Sequence, residues 1–270
     1  MNEASSGAPA SLRGRVALVT GGSRGVGAAT ILALARSGAD VLVNYRNKVR
    51  RAEEIAATAR SSGVRALPYA ADITDPAANA RMCGFVAREW GRLDVLVLNA
   101  SGGMERDLVA ADPDYPMRIN RDGPLDLLAR AAPLLTDDAV VVHVTSHLAH
   151  FYGQVEQPPA YEPVARSKHA GEQAIRDAMH ALGPTRRFIA VSGDLIEDTI
   201  VPRLMDRESP GLIAARRAAV GTLPTTADLA DAIVRACVDR TIPNGETLFV
   251  GSIALDTTVS GPAQPFAGRP

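Results

Sequence analysis

Residues Arg15–Ile31, RVALVTGGSRGVGAATI, decide the fold. Val16 to Val19 is an apolar run of strand length, Thr20 to Gly27 carries four glycines, and an Ala-rich segment of helical composition follows. Strand, glycine turn and helix in this order predict an anion cradle. Lacking side chains, Gly21 and Gly25 let the backbone turn tightly and approach a phosphate, and Gly27 lets the helix pack closely on the strand. The free N–H groups and positive dipole end of the helix then face a pyrophosphate. A glycine turn without a ligand is the plainer alternative, but the flanking strand and helix are what phosphate binding requires. The stretch alone implies a nucleotide and no more.

Outward from it, Asp40 to Asn44 reads as a second strand and Lys48 to Arg60 as a helix with Ile55, Ala56 and Ala59 on its apolar side. In such a βαβ unit an acidic residue about 20 residues past the glycines would accept the adenosine ribose 2′-hydroxyl. Here the strand ends in Asn44, Tyr45 and Arg46, and no carboxylate follows before Glu53. Arg24 and Arg46 can both reach that ribose, so a 2′-phosphate is attracted, and NADPH/NADP+ is expected over NADH.

Further along, Arg65 to Ala70 predicts strand three, Asp75 to Trp90 a helix, and Leu93 to Leu98 a strand buried on both faces, with a tight loop Asn99 to Gly103 at its carboxyl end. A helical pattern over Asp114 to Leu135 is interrupted by Asn120, Gly123 and Pro124, and Pro124 should loosen it near Asn120. Ala139 to Ser146 predicts a fifth strand, His147 to Tyr161 a loop, Pro163 to Leu182 a helix, and Arg187 to Gly193 a sixth strand. Leu195 to Gly221 is a long excursion without strand character, a candidate lid with Val201, Leu204, Met205, Leu212 and Ile213 as its apolar wall. Thr225 to Val238 and Thr247 to Val250 complete the pattern as helix and strand. The alternation predicts an α/β, doubly wound, Rossmann-like parallel sheet of about seven strands, with helices on both faces and a helical lid. A single domain is expected over 14–251, with a disordered leader at 1–13 and a C-terminal tail at 252–270.

The 270 residues are 46% hydrophobic and 22% charged with a net charge of −1, which gives no electrostatic reason to expect nucleic acid or an acidic membrane surface. Cys83 and Cys237 are too few for a disulfide framework or a zinc site, so no metal is expected and a reducing, cytoplasmic setting is the default. No apolar run approaches the roughly 20 residues of a membrane span, and the leader has no apolar signal core. A small-molecule partner is expected. Regions 114–135 and 163–182 are candidate helical contacts for a homo-oligomer. Among 29 basic residues only Lys48 and Lys168 are lysines, so a site needing a compact ammonium is easily located.

These motifs also carry a family likeness. From Gly14 to Val250 the chain resembles the short-chain dehydrogenase/reductase superfamily. Thr20-Gly21-x-x-x-Gly25-x-Gly27 is similar to its cofactor loop, Asp72-Ile73 to its adenine-contacting pair, and Asn99-Ala100-Ser101-Gly102 to its NNAG loop, with Leu98 in place of the first Asn. Asn120, Ser146 and Ser167-Lys168 resemble the helix asparagine, the strand-five serine and the end of the YxxxK motif. The resemblance implies cofactor contacts from Gly21, Ser23, Arg24, Gly25, Val26, Gly27, Asn44, Tyr45, Arg46, Asp72, Ile73, Asn99, Ala100, Ser101, Lys168, Gly193 and Leu195. One departure matters more than the matches: Val164 stands where the family has the tyrosine that protonates the substrate oxygen, and Ser192-Gly193 where it has Pro-Gly. Among tyrosine-less members, VARSKHAGE and the lid are similar to ketoreductases that tailor aromatic polyketide antibiotics, which implies NADPH-dependent reduction of a large aromatic, angucyclinone-like ketone.

The catalytic candidates are Ser146, Lys168, Asn120 and Tyr161. Lys168 is expected to hold the nicotinamide ribose rather than to be a solvated lysine, and Ser146 to meet a substrate carbonyl rather than merely cap local backbone. Asn120 could anchor a water or bridge the Pro124 kink. His147 and His150 are expected to be solvated loop histidines. Three groups could replace the missing acid: Tyr161, which Pro163 places just outside the helix; Ser146; or a phenol of the substrate itself. The leading expectation is substrate-assisted protonation, with Ser146 orienting the carbonyl. An NADP-binding regulator without catalysis is one alternative; an enoyl reductase using the Tyr161-x6-Lys168 spacing is another.

Overall fold

A computed structural model describes residues 11–255. Seven parallel strands form one sheet: β1 (Val16–Val19), β2 (Asp40–Tyr45), β3 (Ala66–Ala70), β4 (Leu93–Leu98), β5 (Leu135–Ser146), β6 (Arg187–Gly193) and β7 (Thr247–Val250), in the order β3-β2-β1-β4-β5-β6-β7. The order reverses between β1 and β4, and the crevice beyond the carboxyl ends of strands at such a switch point is where open α/β sheets bind ligands.

Strand alternation sends successive side chains to opposite faces. Val95 and Val97 of β4 join a core with Ile31 and Leu34 of α1 (Gly25–Arg36), Ala52 and Ala56 of α2 (Val49–Arg60), and residues of the late helix that follows the lid. Leu96 and Leu98 join the other core, beneath Met82 and Val86 of α3 (Pro76–Glu89). After β4, α4 (Arg106–Ala111) and α5 (Tyr115–Met117) lead through a π-helical turn, Arg118–Asp122, into α6 (Gly123–Ala131). The helix thus widens just before Pro124, where the missing proline N–H removes a rung.

A four-residue helix, α7 (His147–His150), interrupts the segment expected to be loop. Then come α8 (Glu162–Ala181), the lid helices α9 (Ile200–Glu208) and α10 (Leu212–Val220), and α11 (Thr226–Val238). Strand β5 begins at Leu135, earlier than its apolar run, because buried Leu135 pairs with Leu93 of β4 ahead of a register shift; in the exposed stretch that follows, Asp138 pairs with Arg15. The tails expected at 1–13 and 252–270 lie largely outside the described residues; within them, Leu12 and Leu255 are buried. Among the described residues no helix is long and apolar enough to cross a membrane, and no His/Cys/Asp/Glu group could hold a metal.

Candidate active site

The glycine turn, the carboxyl ends of the strands and the lid enclose a cavity of about 830 Å³, within the range of small-molecule sites. Its phosphate end is set by backbone economy. Gly21 has φ +68°, and a Cβ on Gly27 would lie 2.4 Å from Gly21 O, so α1 packs against the turn only because that side chain is absent. Asn44 receives Gly21 N–H on Oδ1 at 3.4 Å and Gly22 N–H on its backbone oxygen at 2.7 Å. The Thr20 hydroxyl accepts the N–H groups of Asn99 (2.9 Å) and Ala100 (3.0 Å), which locks the β4 loop beside the turn. Helix α1 starts with Arg24 at its N-cap and no side-chain cap, so its first-turn N–H groups are left for a ligand. These features fit a dinucleotide pyrophosphate. Arg24, Arg46, Asn47 and Lys48 line the far end, an arrangement that fits a 2′-phosphate.

At the opposite end, Ser146 is the last residue of β5. Its Oγ accepts the Ala149 N–H at 3.2 Å, capping α7, and lies 3.0 Å from the Tyr161 hydroxyl. Ser146 thus both caps backbone and faces the cavity. Tyr161 is the N-cap of α8, outside the helix as Pro163 dictates, and its ring is buried among Leu148, Ala149, Val164, Ala165 and the lid's Met205. Burial pushes its phenol above the ordinary tyrosine range, with the Ser146 hydrogen bond opposing, so the group holds a proton at neutral pH. Val164, in the position where a tyrosine would be expected, is buried and packs toward Gly103.

Lys168 lies seven residues beyond Tyr161 on α8 and also lines the cavity. Burial lowers its pKa to about 8, against the pull of Glu172. For Glu172 burial acts upward but is outweighed by bonds from His150 Nδ1 (2.9 Å) and Arg176 Nη2 (2.8 Å), which bring it to about 2. The carboxylate can only accept, so His150 Nδ1 carries its hydrogen. The solvated loop histidines expected from the sequence are therefore corrected: His150 is tied to Glu172, and His147 is buried against Ser192 Oγ at 2.8 Å, with burial lowering its pKa to about 4. The short helix α7 carries both inward.

Asn120 sits in the π-helical turn and is saturated by the protein. Its Oδ1 accepts from Ser101 Oγ (2.8 Å) and Gly102 N (3.3 Å), and its Nδ2 donates to Gly102 O (2.8 Å) and Ser167 Oγ (2.9 Å). It knots the β4 loop to α8 and is not on the cavity wall. Neither is Tyr45, whose ring packs against the α1/α2 core. The other sequence-derived site residues line the cavity, as do Val201, Leu204, Met205 and Leu212 of the lid; Ile213 does not. Sequence reasoning missed Tyr115, Asp194, Arg216 and Leu255, which share the wall. Nothing in the pattern around Arg216 marks an arginine that is 1% exposed.

Comparison with known proteins follows the same lines. The short chain dehydrogenase family matches residues 15–196. Versicolorin reductase 1 of Aspergillus parasiticus is 33% identical over 202 residues, covering 68% of this chain and 76% of that protein. Trihydroxynaphthalene reductase of Colletotrichum orbiculare is 39% identical over 172 residues, covering 63% of this chain and 60% of that protein. Over the first four such relatives the match spans 60 to 76% of their length. A crystal structure of a short chain dehydrogenase from Burkholderia cenocepacia J2315 in complex with NADP superposes at TM-score 0.77 with 29% identity, covering 89% of this chain and 97% of that one.

Proposed function

This chain belongs to the short-chain dehydrogenase family, and from that membership we propose that it is an NADPH-dependent ketoreductase of a large aromatic polyketide-type ketone, with Tyr161 as proton donor. The observation that carries the reading is the Tyr161–Ser146 hydroxyl pair, 3.0 Å apart, in a cavity whose other end fits a dinucleotide phosphate. The NADP complex of the Burkholderia relative and the Arg24/Arg46 end support the cofactor.

When bound, NADPH supplies a hydride to the carbonyl carbon. The chain's own residues do the rest. Lys168 holds the cofactor ribose hydroxyls, and Ser146 donates a hydrogen bond to the substrate oxygen. Hydride addition leaves an alkoxide, to which Tyr161 transfers its hydroxyl proton and becomes a phenolate. Its raised pKa keeps the proton in place until that stronger base forms. Such help is typically worth about 10²- to 10⁴-fold. Without the phenol, Ser146 or a hydroxyl of the substrate would have to supply the proton.

The lining of the cavity supports the substrate class. Leu148, Leu195, Val201, Leu204, Met205 and Leu212 offer an apolar, adaptable surface suited to a flat fused-ring ketone of angucyclinone type. A versicolorin reductase and a trihydroxynaphthalene reductase among the relatives support the same class. Single-turnover oxidation of bound NADPH by fused-ring aromatic ketones tests the proposal, with faster turnover expected than for small aliphatic ketones and than with NADH. Tight NADPH binding without consumption by any ketone would indicate a regulator. Reduction of a conjugated C=C bond instead would indicate an enoyl reductase.

A further inference from the structure

Arg46 directly follows β2 and Tyr115 opens α5, 69 residues later; both line the cavity, as do Asp72, Ile73 and Ile119. Arg46 Nη1 nonetheless donates a 2.8 Å hydrogen bond to the Tyr115 hydroxyl. The tyrosine is fixed: it is 6% exposed, and a Cβ on Gly102 would lie 3.0 Å from its oxygen. Burial pushes its pKa up, with Arg46 opposing, so it remains a neutral acceptor. The nearby carboxylates are engaged elsewhere. Asp72 Oδ1 accepts from Thr74 N and Oγ1, at 2.9 and 2.8 Å, and Glu105 Oε2 accepts from Gly103 N at 2.8 Å.

We propose that Tyr115 is a positioning residue for cofactor selectivity, holding the Arg46 guanidinium over the adenine end so that its remaining N–H groups face a 2′-phosphate. The inference rests on the NADPH reading above. An unanchored arginine loses rotamer freedom on clamping an anion, and an anchor already in place removes part of that loss. The anchor discriminates, because it acts only through a group that touches the 2′-phosphate.

Calorimetric titration of 2′,5′-ADP and 5′-AMP into wild type, Tyr115→Phe, Arg46→Ala and the double variant tests this. Tyr115→Phe keeps the ring and its packing. It is expected to weaken 2′,5′-ADP about three- to tenfold and to leave 5′-AMP unchanged, with no further loss on the Arg46→Ala background. Unchanged or tighter 2′,5′-ADP binding by Tyr115→Phe overturns the inference, as does an equal loss for both nucleotides or an undiminished loss on the Arg46→Ala background. If wild type binds the two nucleotides equally, the NADPH reading falls and takes the inference with it. If wild type prefers 2′,5′-ADP while Tyr115→Phe is silent, only the inference falls.

Discussion

Replacing Arg216 with methionine should detach the lid from the sheet. Arg216, on α10, pairs with Asp194 just beyond β6 through Nε (3.0 Å) and Nη2 (2.8 Å), and its Nη2 also donates to Ser252 O at 2.7 Å, beyond β7. The two side chains are 2% and 4% exposed. Removing one partner of a buried pair leaves an uncompensated charge, at a cost of about 3–5 kcal/mol. By contrast, the Arg65–Glu89 pair is 49% and 34% exposed, and its loss should cost no more than about 1 kcal/mol. Urea unfolding of Arg216→Met and Glu89→Gln separates these magnitudes. Adding Asp194→Asn to Arg216→Met should recover about 1 kcal/mol or more, because the stranded charge is removed while an oxygen remains for Leu195 N–H. Limited proteolysis should show faster cleavage within 195–221 in the single variant. If Arg216→Met costs less than about 1 kcal/mol and leaves that segment equally resistant, the pair does not hold the lid and the reasoning fails.

Two further outcomes follow from named contacts. Because burial lowers the Lys168 pKa to about 8 from 10.5, kcat/KM should fall as pH rises through about 8, and Lys168→Arg should remove that limb between pH 7 and 10. Between those two values the unfolded chain binds more protons than the folded one, so Lys168 makes stability rise with pH across the window, which urea midpoints at several pH values would show. Gly171→Ala should destabilise by about 1–3 kcal/mol or more, since its Cβ would sit 2.1 Å from the backbone oxygen of Asn120 and force α8 away from the π-helical turn; an unchanged urea midpoint would contradict this.

The sheet was legible because the strands contain apolar runs and the longer helices are periodic, so β4 at Leu93–Leu98 follows from hydrophobicity alone. The glycine cradle was legible because its chemistry is backbone chemistry, which only glycine permits. The pairing of Tyr161 with Ser146 was not. Local rules put Tyr161 outside α8 correctly, but its position depends on how residues 151–160 return the chain, and α7 is too short for periodicity to announce. The role of Asn120 was hidden for the same reason: its partners Ser101 and Ser167 are 19 and 47 residues away. Arg216 and Tyr115 are long-range pairs of ordinary residues, and spacing carries no trace of them.

In the proposed mechanism a tyrosine outside the helix supplies the proton, and the single-turnover rate of Tyr161→Phe reads that step. With a fused-ring ketone and saturating NADPH, the rate should drop about 10²- to 10⁴-fold while NADPH affinity and the unfolding midpoint stay at wild-type values. If Tyr161→Phe instead keeps most of its rate, and methylating a phenol beside the ketone is what slows reduction, the proton comes from the substrate and Tyr161 is not the donor.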